Sequence, residues 1–261
     1  LDRLIQPKSV VVLDRRLQLT QALAQAVRWG YLPVNPANGV QPPRPRRKEL
    51  AFLDQEGTEA IMDAARGTPV EAAVAIAIAT GMRRGEILGL RWSDMDSQFT
   101  VARVSRTLQT SSEGIIFEQP KTSRSRRNVM LPVFLVPYLV RQREAQNARR
   151  IAAGDAWIET GAILDNFDGE PWNGWCFGRA FTKFLKKAGL PHVRFHDLRH
   201  AHATLMLSRG VHPKIVSERL GHASIGITLD TYSHVLPSMQ QEAADAFDEM
   251  FLGEADVAEA L

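Results

Sequence analysis

All seven histidines of this 261-residue chain lie between His192 and His234, and their neighbours are the side chains best suited to chemistry. Two chemistries are open to them. His196 and His200 stand four apart, which puts two imidazoles on one helical face as in the H-E-x-x-H zinc pattern, with His202, His222 or His234 as a third ligand. That motif needs Glu beside its first histidine as general base, and Asp197, one carbon shorter, stands there instead. The other chemistry is phosphate-directed. A phosphodiester attacked by an oxygen nucleophile builds negative charge on its non-bridging oxygens, and fixed cations can absorb it. Arg199 follows His196 by three residues on the same face, so both can address one phosphate. Glu86, three residues after Arg83, can orient that guanidinium.

Charge points the same way. The net charge of +3 averages two unlike regions: residues 1–219 carry all 32 Lys and Arg against 21 acids, while residues 220–261 carry eight acids and no Lys or Arg. Arg outnumbers Lys 25 to 7, and its planar fork grips phosphate oxygens in bidentate fashion. Nucleic acid is therefore the first partner to test. One cysteine, Cys176, cannot form an internal disulfide, which fits a reducing compartment and a cytoplasmic setting. The longest uncharged apolar stretch, residues 129–140, is interrupted by Pro132 and Pro137 and is too short to span a membrane. The opening LDRL has no features of a signal peptide and reads as the interior of a longer parent protein.

Elements able to hold these groups follow from periodicity. Helices are expected over 10–29, 54–66 (capped by Asp54), 69–80, 83–90, 135–152, 175–189, 196–209, 213–220, 225–233 and 237–251. The 69–80 helix is apolar nearly all round and should be buried. Alternation predicts strands over 100–107, 114–118 and 127–131, a small antiparallel sheet. The string NPANGVQPPRPRRK over 35–48 is rich in Pro and Gly and then basic, as an interdomain linker would be. The fold class is α+β and predominantly helical. Its parts are 1–41, the remnant of a first helical domain; 42–49, a basic linker; 50–236, the main domain; and 237–261, an acidic C-terminal helix and tail.

Three strings carry a family likeness: TGMRRGEILGLRWSDMD over 80–96, HDLRHAHATLMLSRG over 196–210, and LGHASIGITLDTYSHV over 220–235. In this order and spacing the chain resembles the tyrosine recombinases, the phage-type integrases, over roughly residues 50–250. The resemblance implies a tyrosine-recombinase catalytic domain after a truncated helical core-binding domain. It maps the Arg of T-G-x-R onto Arg83 and the following acid onto Glu86. The hairpin Lys falls on Lys121, the His and Arg of H-x-L-R on His196 and Arg199, the His of L-G-H on His222, and the terminal nucleophile on Tyr232.

Such an enzyme would attack a backbone phosphate with Tyr232, form a 3′-phosphotyrosyl link and free a 5′-hydroxyl. A second strand's hydroxyl would then reverse the attack. A phenol of pKa about 10 is only about 0.1% ionised at pH 7, so it needs a base, and His196 is the family's candidate. Lys121 would protonate the leaving oxygen, and His222 would donate a hydrogen bond to a non-bridging oxygen. The scheme requires no ATP, metal or other cofactor, because the phosphotyrosyl ester retains the bond energy. His200 reads as a buttress to His196 and His202 as a structural histidine, while His234 has no mapped role. Arg44, Arg46, Arg47 and Lys48 on the linker, with Arg124, Arg126 and Arg127 around the hairpin, are the expected contacts to double-stranded DNA. The apolar stripe Met239, Ala243, Phe247, Met250 and Phe251 suits protein contact within a homo-tetramer on DNA. Three alternatives compete with site-specific recombination. One is type IB topoisomerase-like relaxation, another a zinc hydrolase built on the histidines, and the last a DNA-binding module without catalysis.

Overall fold

The computed structural model describes residues 9–39, 53–112, 114–119 and 126–232, together with 244, 245, 247, 248 and 250. It divides into two compact units, Leu1–Ala51 and Phe52–Leu261. In the first, helix α1 (Ser9–Arg28) is followed by a 3-10 turn over Pro36–Gly39, and Asn35 donates from Nδ2 to the Thr20 carbonyl at 3.0 Å. The second unit holds all the candidate site residues that the structure describes. Linker residues Arg44, Arg46, Arg47 and Lys48, hairpin residues Lys121 and Arg124, and His234 lie outside the described residues.

The second unit is built on a buried helix. After α2 (Gln55–Ala65), which starts where the Asp54 side chain accepts from the Gly57 N–H at 2.8 Å, comes α3 (Glu71–Thr80). Its run EAAVAIAIAT has no polar face, and from Ala72 to Thr80 every residue is buried. Around α3 pack α2, α4 (Arg84–Leu88), α5 (Val136–Ala153) and α7 (Asp197–Ser208). Helix α6 (Gly174–Lys187) contributes Phe177 and Phe181, whose rings meet Phe195 edge-on at 4.8 and 5.2 Å. That aromatic anchor, worth about 1 kcal/mol per pair beyond area burial, fixes the residue just before His196. Helices α8 (Pro213–Leu220) and α9 (Ile225–Tyr232) complete the described fold. Among the described residues no helix is long and apolar enough to cross a membrane.

The sheet differs from expectation. Instead of three strands in one antiparallel sheet there are four in two ladders: β1 (Val101–Val104) with β4 (Arg127–Met130), and β2 (Thr107–Ser111) with β3 (Gly114–Glu118). The single strand expected over 100–107 breaks at Ser105 and Arg106. Both side chains turn to Asp94, Ser105 Oγ donating to Oδ1 at 3.2 Å and Arg106 to Oδ2 at 2.6 Å. In the first ladder Ala102 faces Val129 and Val104 faces Arg127, so Arg127 projects to the same side as the buried Val104 and Val129.

The C-terminal end of α3 is a hub. Three of its last carbonyls are capped from α7 and α8: Ile78 by His202 Nδ1 at 2.7 Å, Ala79 by Arg219 at 2.8 Å and Gly81 by Arg199 at 2.8 Å. Cationic donors are favourable there because helix dipoles leave their carbonyl ends negative. Gly81 closes the helix at φ +64°, and a Cβ would sit 2.6 Å from both His202 Cδ2 and Leu220 Cδ2, so glycine is required on two counts.

Candidate active site

Arg83 is the N-cap of α4, directly after the Gly81 turn. Glu86 fastens it twice: Oε2 accepts the Arg83 backbone N–H at 2.8 Å and Oε1 its guanidinium at 2.9 Å. The other end of that guanidinium donates to the Gly221 carbonyl at 3.0 Å. Arg199, on α7 and only 4% exposed, is held by the Gly81 carbonyl. Burial, then the charge of nearby Arg83, lowers its pKa to about 10, which leaves it a cation at neutral pH.

His222 sits in the turn between α8 and α9, where its Nδ1 pairs with the hydroxyl of buried Thr228 at 2.8 Å. Burial and the surrounding Arg199, Arg83 and Arg127 depress its pKa to about 4, so its imidazole is neutral. The tautomer in which Thr228 donates to Nδ1 leaves the His222 proton on Nε2, free to donate elsewhere.

Tyr232 ends α9. Its ring is 1% exposed and packs with Ala203, Leu207, Val216 and Leu220 in a small apolar cluster separate from the main core. Its hydroxyl meets His200 Nδ1 at 2.8 Å. Burial lowers the His200 pKa, and burial raises that of the phenol to about 12 against the opposing pull of Arg199, so both groups are held towards their neutral forms. His196 does not reach the phenol by hydrogen bond; its ring meets that of His200 edge-on, with centroids 5.2 Å apart. His200, read as a buttress to His196, is the histidine in contact with the Tyr232 hydroxyl, and the His196 ring packs on that of His200.

His202 is the structural histidine expected. With Nδ1–H given to the Ile78 carbonyl, its Nε2 accepts from Arg219 Nε at 3.2 Å. Protonating Nε2 would place two cations face to face in a buried site. Burial and Arg219 accordingly lower the His202 pKa to about 4. The unfolded chain takes up this proton near pH 6.5 and the folded one only near 4, so the neutral form stabilises the fold above pH 6.5 and that contribution is lost as pH falls towards 4. The loss is on the order of 3 kcal/mol at the acid end. Melting temperature measured across this window should fall less steeply in His202→Asn than in the parent, and parallel slopes would reject this origin.

Arg127 departs from its expected role. Placed among the residues flanking the hairpin to touch DNA, it turns inward instead, its side chain 8% exposed. Nε donates to the Arg219 carbonyl at 2.8 Å, and the two terminal nitrogens donate to Glu86 Oε1 at 3.2 Å and Oε2 at 3.0 Å. Arg126, its neighbour, is exposed and lines a cleft with Arg91, Arg103, Arg106 and Glu118. The zinc arrangement gains nothing from the geometry: no three His, Cys, Asp or Glu among the described residues are grouped to hold a metal ion.

Residues 51–239 match the model of the phage integrase family. The chain belongs to that family. It is 34% identical over 247 residues to a tyrosine recombinase XerC-like protein of Caldanaerobacter subterraneus, covering 87% of this chain and 63% of that protein. It is 33% identical over 175 residues to the ICEBs1 integrase of Bacillus subtilis, covering 67% of this chain and 47% of the relative. The chain therefore spans about half to two thirds of the length of these relatives. Among solved structures, the Tn1549 transposon integrase in complex with a circular intermediate DNA superposes with a TM-score of 0.76 at 20% identity, covering 92% of this chain and 80% of that one. A lambda integrase dimer bound to a COC′ core site gives a TM-score of 0.61 at 18% identity, over 89% of this chain and 60% of that one. The structural likeness establishes the integrase-family catalytic fold.

Within that fold five of the six residues expected to be catalytic are described. They come from four separate places: the α3–α4 turn, the start of α7, the α8–α9 turn and the end of α9. Arg83, Arg199 and His222 are mutually close enough for their charges to act on one another, and Arg199 acts likewise on Tyr232.

Proposed function

We propose that this chain is the catalytic part of a site-specific DNA recombinase that cleaves and rejoins strands through a 3′-phosphotyrosyl intermediate. The observation that carries the reading is the Tyr232 hydroxyl in hydrogen-bond contact with His200 Nδ1 beside the Arg199 guanidinium. In the attack, the Tyr232 oxygen bonds to phosphorus as its proton passes to His200 Nδ1, and the 5′-oxygen departs with a proton from Lys121. Arg83 and Arg199 take up charge on the non-bridging oxygens, and His222 Nε2–H donates to one of them. Arg126, Arg124 and the linker cations Arg44, Arg46, Arg47 and Lys48 contact the duplex backbone. Assembly is a tetramer on two duplexes, with the segment 237–261, whose Phe247 and Met250 side chains are exposed, docking on a neighbouring protomer.

Capture from a randomised library of nicked suicide duplexes tests this reading. The expected result is a protein–DNA adduct stable to denaturation, enriched for one sequence and reversed by an added 5′-hydroxyl strand. Relaxation of supercoiled plasmids without sequence preference or partner exchange would instead favour a topoisomerase. Sedimentation with the recovered duplex should give four protomers per pair of sites.

The role of His200 has its own test. His200→Ala should slow adduct formation by about 10- to 100-fold at neutral pH, with the rate still climbing at alkaline pH, because the phenol must then lose its proton to solvent. An unchanged rate and pH profile would return proton acceptance to His196.

A further inference from the structure

We propose that Arg127 is a positioning residue for the cleavage step, a buried counter-cation that satisfies Glu86 so that Arg83 keeps its charge for the phosphate. The inference rests on the recombinase reading above and adds to it a residue that does not touch the substrate. Its basis is the shared carboxylate. Glu86 is 4% exposed and forms ion pairs with both Arg83 and Arg127. Both of its oxygens are used by both arginines. Burial on its own would push the Glu86 pKa up, but the hydrogen bond and charge of Arg127, followed by those of Arg83, hold it below the ordinary carboxylate range.

Consider the charge balance. Arg83, Arg127 and Arg199 set three positive charges against one carboxylate, a formal +2. A phosphodiester brings one negative charge, and addition of a phenolate oxygen raises that to two in the five-coordinate transition state. Removing Arg127 leaves Glu86 to neutralise Arg83 alone, so the pocket enters the reaction one charge short, and the freed carboxylate oxygens compete with phosphate for the Arg83 N–H groups. Preorganised charge of this kind acts on the transition state more than on the bound duplex.

Geometry assigns the same role. Arg127 ties three parts of the site together: β4, the α4 carboxylate and, through the Arg219 carbonyl, the end of α8. Gly221, whose carbonyl receives Arg83, lies directly against it. A Cβ there would come within 2.8 Å of the Arg127 guanidinium, and the φ of +68° at Gly221 independently favours glycine. The turn that carries His222 is thus shaped around Arg127.

The test compares Arg127→Met and Arg127→Lys with the parent chain on two duplexes of the captured sequence. One has an ordinary phosphodiester at the cleavage position and the other a methylphosphonate, in which methyl replaces a non-bridging oxygen and removes its charge. On the ordinary duplex Arg127→Met should form adduct about 10- to 100-fold more slowly, the range for losing a group that orients a reacting one, with duplex affinity within about twofold. On the methylphosphonate the deficit should shrink to within about threefold, since its transition state carries one negative charge instead of two and Arg199 can meet it without Arg83. Arg127→Lys keeps the charge but cannot span Glu86 and the Arg219 carbonyl together, so it should show a smaller deficit with the same dependence on substrate charge. It also carries the test if the Met variant does not fold. Equal deficits on both duplexes would assign Arg127 to folding alone, and a loss of affinity matching the loss of rate would assign it to direct phosphate contact; either overturns the proposal. Absence of adduct with the parent chain would overturn the recombinase reading instead.

Discussion

Tyr232→Phe is expected to abolish covalent adduct formation, by at least about 10⁴-fold, while duplex binding and fold persist. The substitution deletes one oxygen. The ring keeps its packing against Ala203, Leu207, Val216 and Leu220, and the cost to stability is the single hydrogen bond to His200, about 1 kcal/mol. The other tyrosines offer no substitute, since Tyr31 lies in the first unit and Tyr138 on α5 stacks under Arg141. Incubation with a nicked suicide duplex followed by a denaturing gel reads the result directly. An adduct surviving denaturation in this variant would remove Tyr232 from the mechanism.

Arg199→Lys should lower the cleavage rate by about 10²- to 10³-fold, the cost typical of losing one preorganised donor to a developing oxyanion. Two physical reasons combine. The Arg199 fork can hold the Gly81 carbonyl with one nitrogen and address the phosphate with the others, whereas an ammonium must choose between them. The burial that lowers the Arg199 pKa to about 10 would also act on a lysine, which starts from a lower value and would be drawn towards the neutral form. Single-turnover cleavage with the trapped duplex measures the effect, and a rate within a fewfold of the parent would dismiss the phosphate clamp. The loss should ease at lower pH as the lysine regains its proton, down to the acid range in which the His202 contribution to stability disappears.

Much of the architecture was legible in the chain. Helix α8 starts and stops where Pro213 and Gly221 say it should, Asp54 caps α2, and the all-round apolar run of α3 is buried as its pattern requires. These features depend on local rules, namely missing N–H groups, positive φ and side-chain period. The break between β1 and β2 was not legible, because it depends on Asp94, more than ten residues away, accepting two side chains that strand periodicity leaves unassigned. Arg127 lies between these cases. Its alternation with Val129 places both on one face of β4, a signal that was available, but the basic run SRSRR drew the reading outwards to solvent. Only the position of Glu86 turns an inward arginine from a penalty into a paired group.

The sequence by itself determined the family-like order of Arg83, Glu86, His196, Arg199, His222 and Tyr232 and the helices that carry them, because local backbone preferences and residue identity suffice for that. The tertiary structure alone decided who touches whom. The Tyr232 hydroxyl meets His200 and not His196, and Arg127 joins Arg83 on one carboxylate. Those pairings span up to several dozen residues of chain, and a hydrogen bond is set by a few tenths of an ångström that no spacing in sequence encodes.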